Sequence, residues 1–417
     1  MSYAAQGWAL GRIPPSPADP AWPSAANKPT RGATGWGATY PFMEILRIMS
    51  DLSISLAALE CSRSQLSAAR YFDEGVFGDE RALIFEPGPR YAGHELWAQQ
   101  PGDYHTLPHE GEGRALVRDA QGLRLVSNVC RHRQALMLRG RGQTREHIVC
   151  PIHRWTYGLD GRLVGAPHFP SDPCLHLNTW PLRRWQGLLF DERGRDVRAA
   201  LRDCSVTAAL DFGGHVLDRI EMHECDYNWK TFIEVYLEDY HVGPFHPGLG
   251  GFVTCDDLRW EFGEHYSVQT VGVQQGLTRP GSATYRRWHE ALAAYNGGKL
   301  PPQGAIWLTL FPNIMVEWYP QVLVVSTLHP RGPRKTLNMV EFYYPEEIAA
   351  FERELVDSQQ AAYMETCVED DEIAQRMDAG RLALFERGDD EAGPYQSPME
   401  DGMQHFHAWY RREMARR

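Results

Sequence analysis

Two cysteine–histidine pairs constrain this 417-residue chain more than any other feature: Cys130 and His132 in "CRHR", Cys150 and His153 in "CPIHRWTYGLDG". One residue separates the first pair, two separate the second, and 17 positions lie between the pairs. Each pair fits on one tight loop, and thiolate and imidazole are favoured ligands of zinc and iron. Whatever fold surrounds them has to bring the two loops to one centre. A structural zinc ion held by two sulfurs and two nitrogens is the simplest occupant of such a set.

The surroundings argue for a different occupant. Cys-x-His is an uncommon zinc-finger knuckle, and both pairs lie in strand-like sequence rather than ahead of a finger helix. From about Tyr91 to Phe190, short apolar runs such as "RALVRD" and "LRLVSNV" are separated by turn formers such as "AQG", which predicts a small β domain. "WTYGLDGRLVGAP" predicts a hairpin turning at Asp160-Gly161, where glycine supplies the positive φ. The two-loop pattern resembles the Rieske iron–sulfur domains, and "CRHR" with "CPIHRWTYGLDGRL" is similar to the motif of Rieske oxygenases. The resemblance implies a [2Fe-2S] cluster with Cys130 and Cys150 on one iron and His132 and His153 on the other. It makes one imidazole the exit for electrons, and gives Trp155 and Tyr157 either a shielding role or an ordinary place in the β core.

A second constellation follows in "NWKTFIEVYLEDYHVGPFH". The pattern predicts a helix capped by Asn228, with Phe232, Val235, Tyr236 and Tyr240 on its apolar side. Glu238 and His241 are three apart and share a face of it, while a break at Gly243-Pro244 folds His246 back toward the same point. Two imidazoles with one carboxylate form the ligand set of non-haem Fe(II) oxygenases, which leaves positions open for O2. Behind a Rieske motif, this stretch closely resembles the catalytic helix of the Rieske oxygenase α subunits, a family that includes aromatic-ring-hydroxylating dioxygenases and choline and carnitine monooxygenases.

That resemblance implies that His241 and His246 bind mononuclear Fe(II) and that the carboxylate ligand lies later in the chain. "VEDDEIAQRMDAG" supplies it, since the family spaces an Asp ten residues ahead of a Gly, as Asp370 and Gly380 are. Asp371 is the alternative ligand, and Glu369 and Glu372 suit a solvated acidic face. Asp378 stands where the family often has Gln. Glu238 is then no ligand but an electron bridge from His241 to a Rieske histidine of a neighbouring subunit, in a head-to-tail homotrimer. Glu at that position is associated with the branch acting on quaternary ammonium compounds. Electrons from NAD(P)H arrive through a separate ferredoxin or flavin reductase, because no Gly-x-Gly-x-x-Gly motif appears in a strand-to-helix setting. Phe252, Trp260, Trp307, Phe311, Trp318 and Tyr319 are candidates to line a pocket for an arene or a quaternary ammonium, or to be core.

The expected product is a hydroxylated or oxidatively demethylated small organic substrate, with cis-dihydroxylation of an aromatic ring, as in aromatic hydrocarbon catabolism, as the alternative. A non-catalytic Rieske electron carrier and a zinc-binding protein remain as readings from other classes. A formal charge of −12 disfavours nucleic acid and anionic membranes. No apolar run is long enough to span a bilayer, and irregularly spaced cysteines without a secretory leader point to a reducing cytoplasm. The fold class expected is α+β, in which an all-β Rieske domain precedes a helix-grip catalytic domain whose antiparallel sheet is covered by helices. "AIWLTLF", "IMVEWY", "VLVVSTL" and "LNMVEFYY" are its strand candidates, followed by a helix from about Pro345 to Met377. The expected partition is 1–48, a Pro/Gly/Ala-rich disordered extension; 49–90, a helical lead-in packing on the catalytic domain; 91–195, the Rieske domain; and 196–417, the catalytic domain.

Overall fold

The strands between Ala305 and Pro345 are near-continuous apolar runs, buried on both faces, and they form the centre of the larger sheet. The computed structural model describes residues 64–416 except 275, 276 and 278. The expected extension 1–48 and the first part of the helical lead-in, 49–63, lie outside the described residues. Seven antiparallel strands run in the order His215–Cys225, Lys335–Pro345, Val322–Gly332, Ile314–Tyr319, Ala305–Leu310, Tyr266–Val273 and Val253–Phe262. The four strand candidates form consecutive neighbours in it, at the sheet's centre.

Period-2 alternation gives the sheet two different faces. Ile306, Leu308, Ile314, Val316, Leu323 and Val325 turn to one side, where they meet Tyr91, Trp97, Leu116 and Leu188 of the N-terminal β region. Tyr91 and Trp97 both donate to the buried Glu341 across this junction, each at 3.0 Å. Trp307, Val324, Val340 and Phe342 face the opposite side and pack under helices.

Helices Ala69–Phe72 and Glu74–Glu80 lead into a β region, Tyr91 to Asp191, with a five-stranded and two three-stranded antiparallel sheets. The hairpin expected at Asp160-Gly161 joins Thr156–Gly158 to Leu163–Gly165, with Gly161 at φ +84°. A 35-residue helix, Arg353–Arg387, crosses the covered face. It runs ten residues past the predicted end because "DAGRLALFER" is composed largely of good helix formers, and it stops where Gly388 turns to φ +75°. A separate short helix, Glu346–Phe351, precedes it. The C-terminal helix Asp401–Met414 was not expected; its Phe406, Trp409 and Tyr410 close a core with Trp229, Ile233 and Tyr71.

Candidate metal centres

Cys130, His132, Cys150 and His153 line one surface cavity. Their loops follow the same backbone path. In the first, Cys130 N–H donates to Ala135 O at 2.9 Å and Gln134 N–H to Cys130 O at 3.0 Å; in the second, Cys150 N–H donates to Trp155 O at 2.8 Å and Arg154 N–H to Cys150 O at 3.1 Å. Gln134 and Arg154 close the turns in the left-handed region, at φ 56° and 61°. Both thiols are buried and unpaired, and the two imidazole rings lie 4.5 Å apart with His153 exposed. His132 Nδ1 is buried without a hydrogen-bond partner, as expected of an atom kept for a metal. Trp155 stacks on His132 at 5.1 Å, and the Tyr157 hydroxyl takes Arg131 N–H at 3.1 Å while lying 3.6 Å from Cys130 Sγ. Both aromatics therefore touch the site itself. Two thiols and two imidazoles converging on one cavity fit a [2Fe-2S] cluster of mixed ligation.

The second centre is held by buried charge. Asn228 caps the helix Trp229–Tyr236 through Lys230 N–H, and its own N–H donates to Asp378 at 2.7 Å. Arg381 pairs with Glu234 at 2.6 Å and Lys230 with Glu80 at 2.7 Å, so the helix is fixed to its neighbours by one fully buried and one largely buried ion pair. The helix ends at Tyr236, earlier than predicted, and Tyr240 is exposed. Glu238 and His241 thus sit in the turn that follows rather than on a shared helix face. Gly243-Pro244 does not break a helix; the pair lies inside the short helix Val242–Phe245, whose first turn needs no N–H from Pro244.

From these elements His241, His246 and Asp370 come together, one ligand atom from each lying within 4.8 Å of the others. His246 Nε2 is 2.9 Å and His241 Nε2 3.5 Å from Asp370 Oδ1. His246 Nε2 and Asp370 Oδ1 are buried and are not aligned as a hydrogen bond, so both remain available to a cation. The opposite ring nitrogens are held by carboxylates: Glu238 takes His241 Nδ1, and Glu369 takes His246 Nδ1 at 2.7 Å. Burial opposes a charged His241, yet Asp370 and Glu238 outweigh it and push its pKa up to about 10. This is an anionic socket, fit for Fe(II).

Asp371 does not reach the socket. Its oxygens accept from Tyr227 at 2.8 Å and lie 2.8 Å from His223 Nε2, and with Cys225 nearby these groups form a second His/Cys/Asp cluster. Because its carboxylate is already engaged, that cluster serves as a brace for the long helix. Glu369, expected on a solvated face, instead orients His246; Glu372 is exposed and pairs with Arg376. Sequence spacing carried no signal for Glu369 beyond its place next to Asp370.

Comparison with known families decides the identity. The Rieske [2Fe-2S] domain family matches residues 91–181, and the ring hydroxylating alpha subunit (catalytic domain) family matches residues 210–416. A putrescine 2-hydroxylase of Ralstonia nicotianae is 64% identical over 88% of this chain and all of its own. The chain belongs to the Rieske oxygenases. It is an oxidoreductase, the terminal oxygenase subunit of its system. A Bordetella bronchiseptica relative, also a putrescine 2-hydroxylase, is 56% identical over 89% of this chain and 90% of its own. The fold is that of a quaternary ammonium Rieske monooxygenase solved with L-carnitine, at TM-score 0.67 and 21% identity, covering 84% of this chain and 96% of that one. Among the described residues, no helix of this oxygenase is long and apolar enough to cross a membrane.

A cavity lined by His241, His246 and Asp370 opens beside the socket. Of the six aromatic candidates only Trp307 and Tyr319 line it. Phe252 and Phe311 are fully buried core, Trp260 donates to Pro398 O at 2.9 Å, and Trp318 points to the far side of the sheet. Sequence reading missed the other walls: Tyr236, Tyr285 and Trp288 from two helices, Tyr363 from the long helix, and Glu317 from a central strand.

Proposed function

We propose that this Rieske oxygenase hydroxylates a small aliphatic amine, with a primary diamine such as putrescine as the leading substrate. The observation that carries the reading is the convergence of His241, His246 and Asp370 on the wall of a largely apolar cavity. The amine is supported by the two putrescine 2-hydroxylases, which align with nearly the whole length of the chain. In this reading Cys130, His132, Cys150 and His153 hold the [2Fe-2S] cluster, and His241, His246 and Asp370 hold the mononuclear iron. When bound, these groups supply single electrons and O2 activation, the electrons coming from NAD(P)H through a separate reductase or ferredoxin.

The chain's own contribution is orientation and exclusion of water. Glu238 and Glu369 fix both imidazoles with Nε2 toward the socket, and Asp370 adds the anionic ligand. Three protein ligands leave coordination positions open toward the cavity. Aromatic walls keep the reacting carbon dry and in place. Glu238, partly exposed and bound through both oxygens to His241, is the residue that would link His241 to a neighbouring subunit's Rieske histidine in a head-to-tail trimer. The domain boundaries near residues 90 and 195 complete the reading.

Loaded enzyme with a surrogate reductase should convert putrescine to a monohydroxylated product that carries one oxygen atom from labelled O2. Metal analysis should find about three irons and two labile sulfides per chain. Asp370→Ala should keep the cluster's two irons and lose the product. Zinc in place of iron, or no hydroxylation of any amine, would overturn the reading.

A further inference from the structure

Glu317 is an unusual residue for its position. It lies on the strand Ile314–Tyr319, in the middle of the seven-stranded sheet, opposite Trp307 on one side and Val324 on the other. Its neighbours on that face are apolar or aromatic, and Glu317 itself is 0% exposed. A carboxylate in such a place is costly unless a positive partner meets it.

Several other buried carboxylates have such a partner. Glu80 has Lys230, and Glu234 has Arg381 and His407. Among the described residues no basic side chain reaches Glu317. Hydroxyls reach it instead: Tyr363 donates to Oε1 and Tyr319 to Oε2, both at 2.9 Å. Trp307 Nε1 donates to the Tyr319 hydroxyl at 2.8 Å, which commits that hydroxyl's proton to Glu317. Burial pushes the carboxyl up to about 7, and these hydroxyls with that of Tyr236 hold it from rising further. Glu341 and Asp239 also have no lysine or arginine partner, but Glu341 is packed within the junction between the sheet and the N-terminal region, and Asp239 on the same cavity wall accepts from Gln269 beside His241, whereas Glu317 lines the cavity with hydroxyls as its partners.

The rings around it form a chain. Tyr236 and Trp307 lie 6.4 Å apart, Trp307 and Tyr319 6.2 Å, and Tyr319 and Tyr363 6.0 Å. A carboxylate and the aromatic faces beside it favour a cation in the enclosed space. We propose that Glu317 is the ammonium anchor of this cavity: its carboxylate, oriented by Tyr319 and Tyr363, pairs with one protonated amine of the substrate and selects it over a neutral isostere. The inference rests on the amine-hydroxylase reading and deepens it. An alkylammonium stays charged to a pH near ~10, so the ligand brings the missing positive partner at neutral pH. Holding one end of a flexible chain also fixes which carbon is presented to the metal.

The test is calorimetry on the iron-loaded oxygenase under anaerobic conditions, with 1,4-diaminobutane and butane-1,4-diol as probes. Wild type should bind the diamine at least ~100-fold more tightly than the diol. Glu317→Gln should weaken the diamine by ~30-fold or more, with KM rising in step, and leave the diol within ~3-fold. Equal affinities of wild type for diamine and diol would overturn the anchor, and this comparison does not depend on any variant folding. Unchanged diamine affinity in Glu317→Gln would overturn it as well. Failure of the wider reading looks different: wild type would then hydroxylate no amine at all, whereas failure of the anchor alone leaves amine hydroxylation intact in Glu317→Gln.

Discussion

The two candidate metal centres are built by different means. At the Cys130/Cys150 site the backbone does the placing: two loops with matching hydrogen bonds and matching left-handed residues deliver one thiol and one imidazole each. The His132 and His153 spacings differ by one residue because each loop presents its imidazole from a different position on the same path. At the His241/His246/Asp370 site the placing is done by side chains. Glu238 and Glu369 orient the imidazoles, and buried ion pairs of Glu80, Glu234 and Arg381 hold the helices that carry them. A centre fixed by local backbone tolerates loss of a neighbouring side chain, whereas one fixed by carboxylates does not.

The largest expected effect follows at the second centre. Glu369→Gln replaces the carboxylate that accepts from His246 Nδ1 with an amide of the same size. Removing such an outer partner costs about 10- to 100-fold in metal affinity or activity. Iron titration of the variant should show that loss, with the visible spectrum of the cluster unchanged. Retained affinity would mean that His246, which is 1% exposed, is oriented by packing alone, and the contrast between the two centres would disappear.

The same contrast explains what could be read in the sequence. The cluster site was legible because its four residues and the loops that shape them lie within 25 positions of each other. The sheet's central strands were legible because burial on both faces makes them short, near-continuous apolar runs rich in β-branched and aromatic residues. His241 and His246 were legible by spacing, although the local reading of a continuous helix through Glu238 was wrong: tertiary contacts end it at Tyr236. Glu369 was not legible, since a helix pattern cannot tell which acidic residue of "VEDDE" will meet a histidine 123 positions away. The cavity was the least legible part. Its walls come from several helices and strands, and Glu317 and Tyr363 share no local pattern until the long helix is laid across the sheet. Bulk and aromaticity alone left pocket and core both open for six residues, of which two line the cavity and four pack elsewhere, because aromatic side chains fill cores as readily as they line sites.

A smaller effect sharpens the cluster side. Tyr157→Phe removes the hydroxyl that lies 3.6 Å from Cys130 Sγ and takes Arg131 N–H. The backbone turns remain, so the cluster should assemble with its full iron and sulfide content. A hydrogen bond to sulfur favours the reduced, more negative cluster, so its loss should lower the reduction potential. One such bond is worth about 1 kcal/mol, or about 40 mV for a one-electron couple. A redox titration followed by EPR measures this. Failure of the cluster to assemble would show that a side chain, and not the backbone, holds this centre.

The smallest effect concerns Gly380, whose spacing from Asp370 helped to select that residue. In the structure it lies inside the helix Arg353–Arg387, and a Cβ added there would meet nothing within 4 Å. Nothing within the described chain therefore requires a glycine at this point. Glycine in a helix interior is less favourable than alanine by about 0.5–1 kcal/mol, so Gly380→Ala should raise stability by that amount in a urea titration and leave iron content unchanged. Activity should persist if the position faces solvent in the working assembly as it does here. A variant that is stabilised as a chain yet loses turnover would show that a neighbouring subunit passes close to Gly380. The spacing that pointed to Asp370 would then record subunit packing in the proposed trimer beside the candidate metal centre.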